Sequence, residues 1–81
     1  MKVKSKVTIV FQREVIGYSV WMVDLPGCIS QGDSFEDAME SIKDAAQLYL
    51  ETFPETEIET TPVESVEIDD NQFLVITDLI L

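Results

Sequence analysis

The stretch Asp24–Asp37, with the sequence DLPGCISQGDSFED, constrains the fold of this chain more than any other segment. Pro26 fixes its own φ at the value that the second residue of a turn needs, and Gly27 can take the positive φ of the third. The four residues from Leu25 to Cys28 therefore predict a type II turn. That turn ends one strand and starts the next.

A short strand and the start of a helix are predicted after this turn. Residues 28–31 are long enough for a strand, and Gly32 permits a sharp change of direction. Either Asp33 or Ser34 can cap a helix, and an acidic residue at position 36 or 37 can return the capping bond. The order strand, turn, strand, helix follows from this one segment.

The helix is predicted from about Phe35 to Phe53, because its apolar and polar residues separate at 100° per residue. The apolar arc, which must pack on a sheet, comprises Phe35, Ala38, Met39, Ile42, Ala45, Ala46, Tyr49, Leu50 and Phe53. The opposite arc is narrow and acidic, and comprises Asp33, Asp37, Glu40, Asp44 and Glu51. A solvated helix surface and a contact surface for a basic partner both account for this acidic arc.

Alternation predicts two strands before the turn. Val3, Val7, Ile9 and Phe11 share one parity, while Lys2, Lys4, Lys6, Thr8 and Gln12 share the other, which is typical of a strand with one buried face. Residues 17–23 predict a second strand that is apolar on both faces, and such a strand is central or contacts another molecule. Trp21 in this strand is either a packed core residue, an interface anchor or a residue that stacks on a ligand.

The last third of the chain predicts a connecting loop and one or two strands. Residues 55–62 are polar and acidic, residues 63–68 alternate in part, and residues 69–72 have the composition of a turn. Residues 73–81 are apolar on both faces, so they must be covered by this domain or paired with a second copy. We favour pairing, and expect an oligomer interface formed by Trp21, Phe73, Val75, Leu79 and Leu81.

The predicted fold class is α+β with two layers. One amphipathic helix packs on an antiparallel β-sheet of three to five strands, in the order β-β-β-α-β(-β). We expect a single domain over residues 1–81, with a core over 3–53 and C-terminal strands over 63–81, that assembles as a dimer or tetramer.

The net charge of −11 is distributed unevenly. Residues 1–32 carry four basic and two acidic side chains, whereas Lys43 is the only basic residue among fourteen acidic ones after Gly32. An acidic surface repels nucleic acid and attracts basic proteins, although solubility alone is an equally simple explanation.

Several function classes are disfavoured by residues that the chain lacks. It contains no histidine, so Ser–His and Cys–His catalysis are excluded, and its single cysteine, Cys28, is expected to be a small buried side chain. No phosphate-binding loop or metal motif is present. We therefore expect no enzyme activity, no cofactor and no metal. No signal peptide and no membrane span are apparent, and we expect a cytoplasmic protein.

The motif D-L-P-G-C-x-x-x-G-D-T-x-E-E-A is close to the usual wording of HicB-type antitoxins, and this sequence resembles it. The matching residues are Tyr18 upstream, Asp24 to Cys28, Gly32, Asp33, Ser34 in place of threonine, Glu36, Asp37 and Ala38. The resemblance covers roughly residues 7–49. It implies a partial ribonuclease H-like fold and an antitoxin that neutralises a small basic toxin which cleaves messenger RNA.

On that resemblance, the candidate partner-binding residues are Asp33, Glu36, Asp37, Glu40, Asp44, Glu51, Glu55 and Glu57. Many members of the family also carry a C-terminal DNA-binding module. Here no lysine or arginine follows Lys43, so we expect no direct DNA binding.

Two alternatives remain open. One is an oligomeric module that binds a small ligand in an interface pocket lined by Trp21 and Tyr18. The other is a metal-dependent nuclease that uses Asp24, Asp33 and Asp37. It is disfavoured, because these residues are expected to serve turns and caps.

Overall fold

The structure of the protein is a computed structural model, and it describes residues 4–58 and 61–80. The elements in chain order are β1 (Lys4–Arg13), β2 (Tyr18–Met22), β3 (Ile29–Gly32), α1 (Phe35–Thr52), a short 3-10 turn (Val63–Ser65) and β4 (Gln72–Ile80). The predicted two-layer α+β architecture, with one helix on an antiparallel sheet, is confirmed.

The four strands form one sheet in the order β3-β2-β1-β4, and every neighbouring pair is antiparallel. β1 is therefore central, while β3 and β4 are the two edges. In the registers, Phe11 lies opposite Val20 on one side and opposite Phe73 on the other. The sheet has an inner side that faces α1 and an outer side that faces away from it.

The hydrophobic core lies between the inner side of the sheet and α1. It comprises Val7, Ile9 and Phe11 of β1, Val20 and Met22 of β2, Leu25 and Cys28 of the turn between β2 and β3, Ala38, Ile42 and Ala46 of α1, and Leu79 of β4. Each fully buried large apolar side chain contributes roughly 1.5–3 kcal/mol. The buried alanines allow α1 to pack closely over β2 and β3.

The turn between β2 and β3 forms as predicted. The N–H of Cys28 donates to the carbonyl oxygen of Leu25 at 3.0 Å, and Gly27 has a φ of 89°. At the start of α1, the N–H of Asp37 donates to Oγ of Ser34 at 3.1 Å. Of the two candidate caps, the structure therefore selects Ser34.

Gly32 is required for a different reason from the one that the sequence indicates. It does not adopt a positive φ. A Cβ atom at this position would instead collide with the backbone of Ala38 in the first turns of α1. The absence of a side chain lets the end of β3 contact the helix directly.

Three details differ from the sequence-based expectations. The partial alternation over residues 63–68 does not produce a strand, and Val63–Ser65 form a 3-10 turn. The face of β1 that was expected to be wet is buried at Thr8 and Val10, each 2% exposed. The helix ends at Thr52, one residue before the predicted end. Val3, which was assigned to the first strand, lies outside the described residues.

The final strand divides its apolar side chains between the two sides of the sheet. Phe73, Val75 and Leu79 lie on the inner side, where they pack against the core. Leu74 and Ile76 lie on the outer side, and Ile76 is 50% exposed. Three of the residues expected at an oligomer interface, Phe73, Val75 and Leu79, thus contribute to the fold of their own chain. Trp21 lies on the outer side of the sheet, and Leu81 is outside the described residues.

Candidate partner-binding site

All eight acidic residues predicted to bind a partner are exposed. At 100° per residue, the five that lie on α1 fall within an arc of about 100°. We call the following set the acidic face: Asp33, Glu36, Asp37, Glu40, Asp44 and Glu51, with Glu55 and Glu57 just beyond the end of α1. The structure does not test whether a partner contacts this face.

The packing of α1 fixes the direction of the acidic face. Ala38, Ile42 and Ala46 are completely buried against the sheet, so the opposite side of the helix must point to solvent. Two acidic residues, Glu36 and Asp37, also lie in the first turn, where they interact favourably with the positive end of the helix dipole. The acidic face is therefore presented by a helix whose opposite side is packed into the core.

A cleft of about 440 Å³ lies beside the N-terminal end of the acidic face. Its lining includes Asp33, Asp37, Tyr18 and Glu14. Glu14 was not among the predicted site residues. It comes from the β1–β2 connection, and only the pairing of β2 with β3 brings it near the start of α1, so no local sequence signal could have revealed it.

The carboxylate of Glu14 is held by two side chains. Nε2 of Gln12 and Oγ of Ser19 both donate to its Oε1, at 2.8 and 2.9 Å. These hydrogen bonds favour the ionised form and lower the pKa of Glu14 below its ordinary value. Glu14 thus adds a fixed negative charge to the rim of the cleft.

Asp24 connects two segments of the backbone through its side chain. Its side chain is buried, and its two oxygens accept hydrogen bonds from the backbone N–H groups of Thr8 and Thr61. Cys28 is also buried, and burial raises the pKa of its thiol above the ordinary value. The expectation that Cys28 is a small core side chain is confirmed.

The residues named for the two alternative functions are not brought together. Trp21 lies on the outer side of the sheet, whereas Tyr18 lies on the inner side, where its ring packs edge-on against Phe11 at 5.6 Å. They cannot line one pocket within a single chain. Within residues 4–58 and 61–80, no group of three acidic, histidine or cysteine side chains could hold a metal ion.

The fold and its surface define a small α+β module that presents a rigid acidic helix. The chain belongs to the HicB-like antitoxin family of bacterial toxin–antitoxin systems, whose family model matches residues 7–74. Among the described residues, no helix is long and apolar enough to cross a membrane.

Curated relatives of this chain are proteins of a family named UPF0150. One from Helicobacter pylori is 44% identical over 41 residues, which span 51% of this chain and 57% of that protein. One from Synechocystis is 41% identical over 46 residues, spanning 56% and 58%, and one from Archaeoglobus fulgidus is 45% identical over 47 residues, spanning 57% and 68%. The chain thus spans less than two thirds of the length of the first two.

A solved structure has the same fold. The N-terminal domain of the antitoxin HicB from Burkholderia pseudomallei superimposes with a TM-score of 0.74, covering 90% of this chain and 95% of that domain. Its sequence identity is 22%, so the likeness concerns the fold. The resemblance noted from the motif around Asp24–Ala38 is confirmed.

Proposed function

We propose that this protein is an antitoxin that binds and neutralises a small basic toxin which cleaves messenger RNA. The observation that carries the proposal is the acidic face, presented by α1 in a chain of the HicB-like antitoxin family. A toxin that binds RNA needs a basic surface, and carboxylates compete with phosphate groups for such a surface. The neutralising step is the covering of that surface.

The distribution of charge supports α1 as the contact. Lys43 is the only basic residue of α1, and no basic residue follows it in the chain. Opposite charge accelerates association and makes it sensitive to salt. The cleft beside Tyr18 gives Glu14, Asp33 and Asp37 a concave site suited to a lysine or arginine side chain of the toxin.

In this proposal, the protein has no catalytic role and needs no cofactor. It acts in the cytoplasm and does not contact DNA directly. The carboxylates of the acidic face repel the phosphate groups of the DNA backbone. An electrophoretic shift of its own promoter by this chain alone, at physiological salt, would overturn the part of the proposal that concerns DNA.

The test begins with a pull-down from the native cell lysate. The baits are the unaltered chain, the variant Glu40→Lys/Asp44→Lys, and the matched control Glu64→Lys/Asp69→Lys, which makes the same charge change at exposed positions outside the acidic face. We expect a small basic protein in near-equal amount on the unaltered and control baits, and its loss from the α1 variant.

Neutralisation is then measured directly. The captured protein is expressed with and without this chain, and growth and messenger RNA integrity are followed. We expect arrest and RNA cleavage with the captured protein alone, relief by the unaltered chain and the control, and no relief by Glu40→Lys/Asp44→Lys. Capture by all three baits equally, or a captured protein that is harmless, contradicts the proposal.

A further inference from the structure

The free edge of β4 is a feature that toxin binding leaves unexplained. Among residues 4–58 and 61–80, β4 has β1 as its only neighbour in the sheet, whereas the opposite edge, β3, is four residues long and contacts α1. β4 is nine residues long, and its register with β1 is continuous from Gln72 to Ile80 without a bulge. It contains no proline and one charged residue, Asp78. A long, regular edge of this kind is a template for another strand.

The hydrogen bonding of β4 shows which backbone groups point to that edge. The N–H of Arg13 donates to the carbonyl oxygen of Asn71 at 2.8 Å, so the odd-numbered residues of β4 exchange hydrogen bonds with β1. In an antiparallel pair these residues alternate with ones whose N–H and C=O groups point away. The backbone groups of Leu74 and Ile76 therefore point to the free edge, and no hydrogen bond to them is found among the described residues.

We propose that the β4 edge pairs with the β4 edge of a second copy of this chain, in antiparallel orientation, to form one continuous eight-stranded sheet. Two-fold symmetry makes such a contact self-complementary, because each strand offers the other the same outward N–H and C=O groups. The side chains of Leu74 and Ile76 then continue across the junction on the outer side of the sheet.

The distribution of charge favours a second copy over a basic partner at this edge. Two chains of net charge −11 repel each other when their acidic faces approach. β4 offers a run of six neutral residues, from Gln72 to Thr77, along an edge of the sheet. A basic protein gains little from that run, whereas two acidic chains that meet along it bring no charged side chains of the run together. This inference therefore does not depend on the existence of a toxin.

The first test is amide hydrogen exchange of the full chain, without any partner. If the edges pair, the amides of Leu74 and Ile76 exchange at least about 100-fold more slowly than in an unpaired strand, and lose this protection on dilution. The amides of Phe73 and Val75, which face β1, serve as the internal reference. Rapid exchange at Leu74 and Ile76 at high protein concentration overturns the proposal, as does protection that requires a second kind of protein.

The second test uses variants and measures mass by light scattering. Proline at position 76 removes an N–H that points away from β1, so the pairing of β4 with β1 is preserved. We expect twice the chain mass of 9.2 kDa for the unaltered protein and for Ile76→Thr, and the single chain mass for Ile76→Pro. Leu74→Pro is a second variant with the same outward N–H.

The pair of substitutions at position 76 separates edge pairing from contact between sheet faces. Both remove the isoleucine side chain, but only proline removes the hydrogen-bond donor. Loss of the dimer in both variants, or in neither, contradicts edge pairing. Raising the salt concentration should strengthen this dimer, because it screens the repulsion between two acidic chains, whereas it should weaken a complex with a basic toxin. The two proposals therefore fail independently.

Discussion

Thr61 is hydrogen-bonded to Asp24, a residue 37 positions earlier in the chain: its backbone N–H donates to Oδ2 of Asp24 at 2.9 Å. The other oxygen of the same carboxylate accepts the N–H of Thr8 in β1. One buried side chain thus joins the central strand to the segment that leads from α1 to β4. The motif residue Asp24, just after β2, thus serves to hold these two segments together.

Replacement of Asp24 by asparagine should lower the free energy of unfolding by about 2–3 kcal/mol. An amide has only one acceptor oxygen, so one of the two backbone N–H groups loses a charge-assisted hydrogen bond. Urea unfolding followed by circular dichroism measures the change. The control is Asp33→Asn, an exposed position, for which we expect a change within about 0.5 kcal/mol. Equal effects at the two positions would show that the Asp24 contacts contribute nothing.

Substitution of Gly32 by alanine should destabilise the protein more than the same substitution at Gly27. At Gly27 the cost is the strain of a positive φ, roughly 1–2 kcal/mol for a residue with a Cβ. At Gly32 the new Cβ meets the backbone of Ala38, so β3 and α1 must separate. The midpoints of thermal unfolding of the two variants are compared directly. A Gly32→Ala protein as stable as Gly27→Ala would contradict the close contact of β3 with α1.

The carboxyl group of Glu14 should titrate with a pKa below the ordinary value of a glutamate. Hydrogen bonds from Gln12 and Ser19 favour its charged form and lower its pKa. Carboxyl titration by NMR measures this shift. The Ser19→Ala variant should move the pKa of Glu14 back towards its ordinary value, while Ser65→Ala, which removes a hydroxyl elsewhere, should leave it unchanged. Insensitivity to Ser19→Ala would mean that the hydroxyl makes no lasting bond in solution.

The thiol of Cys28 should react slowly with iodoacetamide in the folded protein and rapidly in urea, by a factor of at least about 100 at pH 8. Burial both hides the thiol and raises its pKa.

The raised pKa of Cys28 also makes the stability of the protein depend on pH. Above the ordinary pKa of cysteine, near 8.5, the unfolded chain releases the thiol proton while the folded chain keeps it, so the free energy of unfolding falls as pH rises.

The Cys28→Ala variant isolates the contribution of the thiol to this pH dependence. The difference in unfolding free energy between the unaltered protein and the variant should be constant below about pH 8 and should shrink above it. A difference that stays constant up to pH 10 would show that Cys28 has an ordinary pKa in the folded state.

The helix and the turn before it could be predicted from the sequence because their determinants are local. A proline–glycine pair and a serine before an amphipathic run each act within a few residues, and the structure places Gly27 and Ser34 as expected. The exposure of the acidic face could also be predicted, because the apolar side of the helix must cover the core and the acidic side is opposite to it.

The other features depend on contacts between distant segments. Alternation predicted that Thr8 belongs to a wet face, but it cannot show that a central strand is flanked on both sides, and Thr8 is buried. It also suggested a strand over residues 63–68, where the structure has a 3-10 turn after Pro62. Phe73 was expected at an oligomer interface. In the structure it stacks on Phe11 of its own chain with a centroid distance of 5.0 Å, and its place at an interface stays a prediction.

The position of Trp21 gives the protein a built-in optical probe. It is the only tryptophan of the chain, and it lies on the outer side of β2, opposite Val10. The acidic face lies across the sheet, and the β4 edge is two strands away, about 10 Å. Tryptophan emission should therefore change when the chain unfolds and remain unchanged when α1 or β4 acquires a neighbour. Fluorescence can thus follow the stability of this protein in mixtures where its associations are varied.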